Sequence, residues 1–147
     1  PGRRDGRRRR RPPGEPGLIG IVIVAHGGLA HEYLAAIEHV MGPQRAIRAV
    51  AIEPEHDRAA KQAEISAAAD AVDQGDGVVV VTDMFGGSPS NLSLRACAAA
   101  NRRILYGANL PLLIKLAKSR DKPVAEAVRS ALEAGRKYID SQSVSTD

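Results

Sequence analysis

Between residues 18 and 106 the chain alternates short β-branched runs with longer stretches of helical periodicity, and this alternation limits its fold more than any other feature. Parallel strands joined by crossover helices are the arrangement it specifies. The strand runs are Leu18 to Val24, residues 46 to 52 (AIRAVAI), residues 78 to 83 (VVVVTD) and Arg103 to Tyr106. VVVVTD is apolar on both alternating faces, so it reads as a central strand covered from both sides. The helical runs begin with Leu29 to Met41, where Leu34, Ile37 and Met41 recur at helical spacing and Gly42-Pro43 ends the segment. An alanine-rich helix follows from Asp57, its cap, to Val72. A third is expected from a Ser88 cap, with Pro89 in its first turn, to about Ala99. Asn109-Leu110-Pro111 opens a fourth, and Val124 to Tyr138 forms the last. The fold class is therefore α/β: an open, doubly wound, mainly parallel sheet of order 2-1-3-4 with helices on both faces. SQSVSTD beyond the last helix reads as a frayed or edge segment.

Length and composition agree with one domain. The chain has 147 residues, 44% apolar and 26% charged, which suits a single soluble core. The longest apolar run, LIGIVIVA, is eight residues, against about 20 for a membrane-spanning helix. Its β-branched character and the His26-Gly27-Gly28 that follows argue against an export signal, although arginines precede it. One cysteine, Cys97, excludes a disulfide framework and suits a reducing cytoplasm; in an alanine-rich helix it is expected to be a buried small apolar residue. No metal site is expected, because His31, His39 and His56 have no recognised ligand spacing and fall on polar surfaces.

The net charge of +4 resides in the first 17 residues, where seven arginines face Asp5 and Glu15. The remaining chain has 14 basic and 15 acidic residues. It contains no Trp and only four other aromatic residues, so the footprint of a nucleic-acid binder is missing. Residues 1–17 are expected to be a disordered Arg-rich tail, residues 18–139 the folded domain, and residues 140–147 a C-terminal tail.

In an open parallel sheet, ligands bind beyond the carboxyl ends of the strands where strand order reverses. His26 is expected two residues past the first strand and Asp83 at the end of the third, on either side of that point. The carboxylate can accept a hydrogen bond from the N–H of one ring nitrogen, fix the tautomer and leave the other nitrogen as a nucleophile. A reference pKa of about 6.5 leaves such a histidine largely neutral near pH 7. At about 4 Å the charge pair formed on reaction is worth on the order of 1 to 4 kcal/mol. Gly86-Gly87-Ser88-Pro89-Ser90 opens a helix, so its N–H groups and the Ser88 hydroxyl, with Ser90 as a second donor, form a nest for a phosphoryl group. Gly27 and Gly28 admit the phosphoryl group without side-chain obstruction. No GxxxxGK[ST] phosphate loop is present, so ATP bound to this chain is not the expected donor. Phosphoryl transfer through a phosphohistidine is the chemistry implied.

At these residues the chain resembles the IIA component of the mannose-type phosphoenolpyruvate-dependent sugar phosphotransferase system. The resemblance spans roughly residues 18 to 139 and rests on IVIVAHGGLA, VVVVTDMFGGSPSN and GANLPLLIKLA. It implies that His26 carries the phosphate transiently, receiving it from phospho-HPr and passing it to a IIB component. It also implies that Asp83 is the orienting acid and that Gly27, Gly86, Gly87 and Ser88 surround the phosphate. A cytoplasmic homodimer is implied, without a cofactor and reaching a membrane only through a permease. TDMFGGSPSN is similar to a subgroup in which the phosphorylation state is itself a regulatory signal, so transport and regulation both stay open. Leu112, where many members have Met, and the EPEHD loop depart from the family pattern. Three alternatives compete. A histidine phosphatase would need an arginine where Ala25 stands, to clamp the substrate phosphate. A tetrapyrrole metal chelatase would need a second metal-facing histidine, a role His56 fills poorly. A non-catalytic binding module would take no phosphate at all.

Overall fold

A computed structural model describes residues 17–99 and 101–145. Four strands, β1 (Gly20–His26), β2 (Ile47–Ile52), β3 (Val78–Thr82) and β4 (Arg102–Leu105), form one wholly parallel sheet of order β2-β1-β3-β4. Helices α1 (Leu29–Met41), α2 (Arg58–Val72), α3 (Ser88–Ser93), α4 (Leu110–Lys118) and α5 (Val124–Lys137) connect or flank them. The α/β class and strand order agree with the alternation in the sequence.

Strand alternation builds two cores, one on each face. Ile21, Ile23, Ala25, Val79, Val81 and Leu105 point to one side, where α1, α4 and α5 bring Ile37, Leu113, Leu116 and Ala127 against them. Val22, Val24, Val50, Ile52, Val78 and Val80 point to the other, against Ile65, Ala69 and Val72 of α2 and Leu92 of α3. Both central strands are therefore buried along their apolar length. Gly20 is required where α2 ends against β1, because a Cβ there would lie 2.4 Å from the Val72 carbonyl oxygen.

The amino ends of β1 and β2 are tied together by a buried cation. Arg120, just past α4, donates to the Ile19 carbonyl at 2.8 Å and the Ala46 carbonyl at 3.0 Å. It thereby joins the approaches to β1 and β2. Burial, and then neighbouring Arg45, pull its pKa down to about 10, still far enough above neutral to keep it charged.

Side-chain caps set the starts of α2 and α4. The Asp57 side chain accepts from the Ala60 N–H at 2.8 Å, and the Asn109 side chain accepts from the Leu112 N–H at 3.0 Å. Four expectations need correction. β1 spans Gly20–His26 rather than 18 to 24, because pairing with β2 continues to the His26–Ile52 partners after the apolar run has ended. The helix after β3 stops at Ser93 instead of reaching Ala99. Ser93 Oγ donates back to the Pro89 carbonyl, a bond that bends helices, and the chain tightens into a 3-10 turn over Arg95–Cys97. Ser88 is not the cap of this helix: Gly87 holds that position and no side chain caps it. Residues 139–145 join no strand, so no edge segment exists among the described residues. The Arg-rich segment lies outside the described residues apart from Gly17.

Cys97, expected to be buried, is partly so. Burial pushes its thiol up to about 11, with Arg102 a smaller opposing influence. At pH 8 only about one thiol in a thousand is then ionised, against roughly a quarter of free cysteine. Iodoacetamide should therefore label native Cys97 about two orders of magnitude more slowly than a free thiol. Labelling should become fast in denaturant and also rise steeply toward pH 11; a fast native reaction at pH 8 would contradict the burial.

Candidate functional site

The site forms at the carboxyl ends of β1 and β3, which pair side by side with Val24 opposite Thr82. β1 delivers His26 as its last residue, not two residues beyond it, and Asp83 follows β3 directly. The two side chains meet as expected. His26 Nδ1 lies 2.8 Å from Asp83 Oδ2, and the same oxygen accepts the His26 backbone N–H at 3.0 Å. A carboxylate can only accept, so Nδ1 carries a proton, and in the neutral ring Nε2 keeps its lone pair. The imidazole is 50% exposed and the carboxylate 11% exposed. Among the described residues, Nε2 has no hydrogen-bond partner, and neither does the buried Asp83 Oδ1. All of the acid's resolved hydrogen bonding is thus committed to His26.

The glycines and hydroxyls divide into two groups. Gly27, at φ +56°, donates its N–H to the Ile52 carbonyl at 2.9 Å. Gly86, at φ +81°, donates to Ser90 Oγ at 3.1 Å. Both N–H groups are used internally, so what these residues offer a ligand is a left-handed turn without side-chain bulk. Ser90 is buried and donates to the Met84 carbonyl at 3.2 Å, so it shapes the loop and is not free as a second phosphate donor. Gly87 lies against the histidine, where a Cβ would stand 3.4 Å from His26 Cε1. The exposed Ser88 hydroxyl has no partner among the described residues.

Sequence reasoning missed two contributors. The first is the N-terminus of α1, which opens at the Gly28 cap only two residues after His26. Strand-Gly-Gly-helix is the pattern recognised at residues 86 to 88, and HGGLA carries it too. The second is Tyr33, which donates to the Ala108 carbonyl at 3.1 Å. Burial, and then the charge of Asp83, raise its phenol pKa. No sequence spacing links Tyr33 to Asp83; only the packing of α1 on the sheet does. His31 and His39 are exposed on α1, and His56 turns its ring to the Glu53 carbonyl; none of the three has a hydrogen bond to His26 or Asp83 among the described residues.

The family model described as PTS system fructose IIA component matches residues 20–133, a span that includes both strands of the site and every residue just named near it. The chain belongs to this family. Among curated relatives, the "PTS system mannose-specific EIIAB component" of Escherichia coli K12 is 29% identical over 124 residues, covering 82% of this chain. This chain spans 38% of that relative's length. Among solved structures, the PTS IIA protein associated with the fucose utilization operon of Streptococcus pneumoniae is 27% identical. It has a TM-score of 0.69 and coverage of 81% of this chain and 93% of its own. The phosphotransferase system component EIIA from Streptococcus agalactiae, at 23% identity, shares the fold with a TM-score of 0.75 over 84% of this chain and 97% of its own. The resemblance read from the His-Gly and Gly-Gly-Ser segments thus agrees with the family. Among the described residues no helix is long and apolar enough to cross a membrane.

Proposed function

We propose that this IIA component is a protein-histidine phosphotransferase that carries its phosphate on Nε2 of His26. The observation that supports this most is the 2.8 Å contact between Nδ1 and Asp83, which leaves the second nitrogen unpartnered on a half-exposed ring. In the forward step the Nε2 lone pair attacks the phosphorus of phospho-HPr. A new N–P bond forms as the donor's N–P bond breaks, and the electron pair leaves with the donor imidazole. His26 keeps its Nδ1 proton and becomes a phosphorylated imidazolium, whose positive charge Asp83 stabilises. Gly27, Gly86, Gly87 and Ser88 leave room for the phosphoryl oxygens, and the Ser88 hydroxyl donates to one of them. The reverse chemistry hands the phosphate to a IIB component, a partner suggested by the EIIAB name of the curated relative. A cytoplasmic location, a homodimeric state and the 18–139 domain limits belong to the same reading.

Incubation with phosphoenolpyruvate, enzyme I and HPr tests it. About one phosphate per chain should be incorporated, labile in acid and stable in base, as expected of a phosphohistidine. No incorporation, or an acid-stable product, would refute the reading.

A further inference from the structure

Asp83 engages His26 through one oxygen. Oδ2 accepts both the ring N–H and the backbone N–H of His26, whereas the buried Oδ1 has no hydrogen-bond partner among the described residues. With no second contact on its far side, the carboxylate takes its aim from the backbone that carries it. Strand pairing holds that backbone only as far as Thr82: the last partners are Val24 with Thr82 on the β1 side and Val81 with Leu105 on the β4 side. Past the end of the β4 ladder, the Ala108 N–H donates to the Thr82 carbonyl at 3.0 Å.

Ala108 is in turn held by α1, because its carbonyl accepts from the Tyr33 hydroxyl at 3.1 Å. Tyr33 lies on α1 between Ala30 and Ile37, the two buried residues that seat this helix on the sheet, and α1 opens at the Gly28 cap just after His26. The contacts close a ring: His26 to Asp83, Thr82 to Ala108, Ala108 to Tyr33, and Tyr33 back along α1 to His26. Such a linked set resists displacement more than its bonds would singly. The phenol also shares the partly desolvated surroundings of the carboxylate, since burial, and then the charge of Asp83, raise its pKa. We propose that Tyr33 is a positioning residue for phosphoryl transfer: its hydroxyl holds Ala108, Ala108 holds Thr82, and the backbone so fixed directs the Asp83 carboxylate at Nδ1 of His26. This inference rests on the phosphocarrier reading and adds to it a residue that acts through Asp83 and stands outside the reacting atoms.

Tyr33→Phe keeps the ring and removes only the hydroxyl, so it tests the bond to Ala108 without emptying the core. Two donors are compared: phospho-HPr, and phosphoramidate, a small chemical donor that needs no protein docking. With phospho-HPr, kcat should fall roughly five- to tenfold, the effect of losing one hydrogen bond, while KM changes by less than about twofold. The phosphoramidate rate should fall by the same factor. Nitrogen-resolved NMR of neutral His26 should show the ring proton on Nε2 in a larger fraction of molecules than in wild type. In an Asp83→Asn background, adding Tyr33→Phe should slow neither reaction further, because its target is already gone. A lowered melting temperature with unchanged kcat and unchanged ring signals would make Tyr33 merely structural and overturn the proposal. A raised KM with an unchanged phosphoramidate rate would make it a docking contact, and an undiminished loss in the Asp83→Asn background would make it act independently of the acid; either overturns it. Failure of the carrier reading is separable, because wild-type protein would then take no phosphate from phospho-HPr, whereas failure of this inference leaves wild-type transfer intact.

Discussion

His26→Ala protein should incorporate no phosphate above background when incubated with phosphoenolpyruvate, enzyme I and HPr, a loss of at least about four orders of magnitude if His26 is the acceptor. The effect is large because no neighbouring group can substitute. Among the residues placed near Asp83, the Ser88 hydroxyl is a far weaker nucleophile without a base, and the nearest other histidine in sequence, His31, lies exposed on α1. The fold should survive, since the ring is half exposed and packs in neither apolar core. The Asp83 carboxylate would still accept the backbone N–H of residue 26, which holds β1 against the start of the β3 loop. Unchanged thermal unfolding together with absent label is the expected pair of results. Persistent acid-labile label in this variant would move the acceptor elsewhere.

Asp83→Asn should lower the transfer rate by about two to three orders of magnitude with little loss of stability. Two separate losses contribute. Removing the negative charge withdraws on the order of 1 to 4 kcal/mol from the imidazolium formed on phosphorylation. In addition, an amide can present either oxygen or nitrogen to Nδ1. If the oxygen keeps the backbone bond and the Nδ1 proton, only the charge is lost. If the NH2 faces the ring, the proton must sit on Nε2, and the nucleophilic lone pair disappears. Nitrogen-resolved NMR of the ring distinguishes these states, because the protonated nitrogen changes between them. A full transfer rate in Asp83→Asn would remove the acid from the mechanism.

Much of this architecture was legible in the amino-acid order, for identifiable reasons. β3 and α1 were readable because VVVVT is apolar on both faces and LAHEYLAAIEHVM ends on a Gly-Pro pair, both local signals. The His26 and Asp83 pairing was readable because parallel order brings the ends of β1 and β3 together whatever the side chains are. Features set by pairing or by competition for one carbonyl were not. The extension of β1 to His26 depends on where β2 ends, information that lies 26 residues downstream at Ile52. The early end of α3 depends on Ser93 capturing the Pro89 carbonyl, which helix propensity alone does not predict. The internal use of the Gly86 N–H by Ser90 likewise appears only once the loop has closed on itself. Tyr33 was invisible because its relation to Asp83 passes through the packing of a helix on the sheet.

His26 belongs to the strand itself, with its own amide bound to Asp83 and the next amide bound to Ile52. Its backbone is therefore secured on both flanks before any visitor arrives, and little ordering entropy remains to be lost during an encounter. Turnover in such a relay should track how often the shuttling proteins collide in a workable orientation, and viscosity should slow it more than stiffening the receiving loop would speed it.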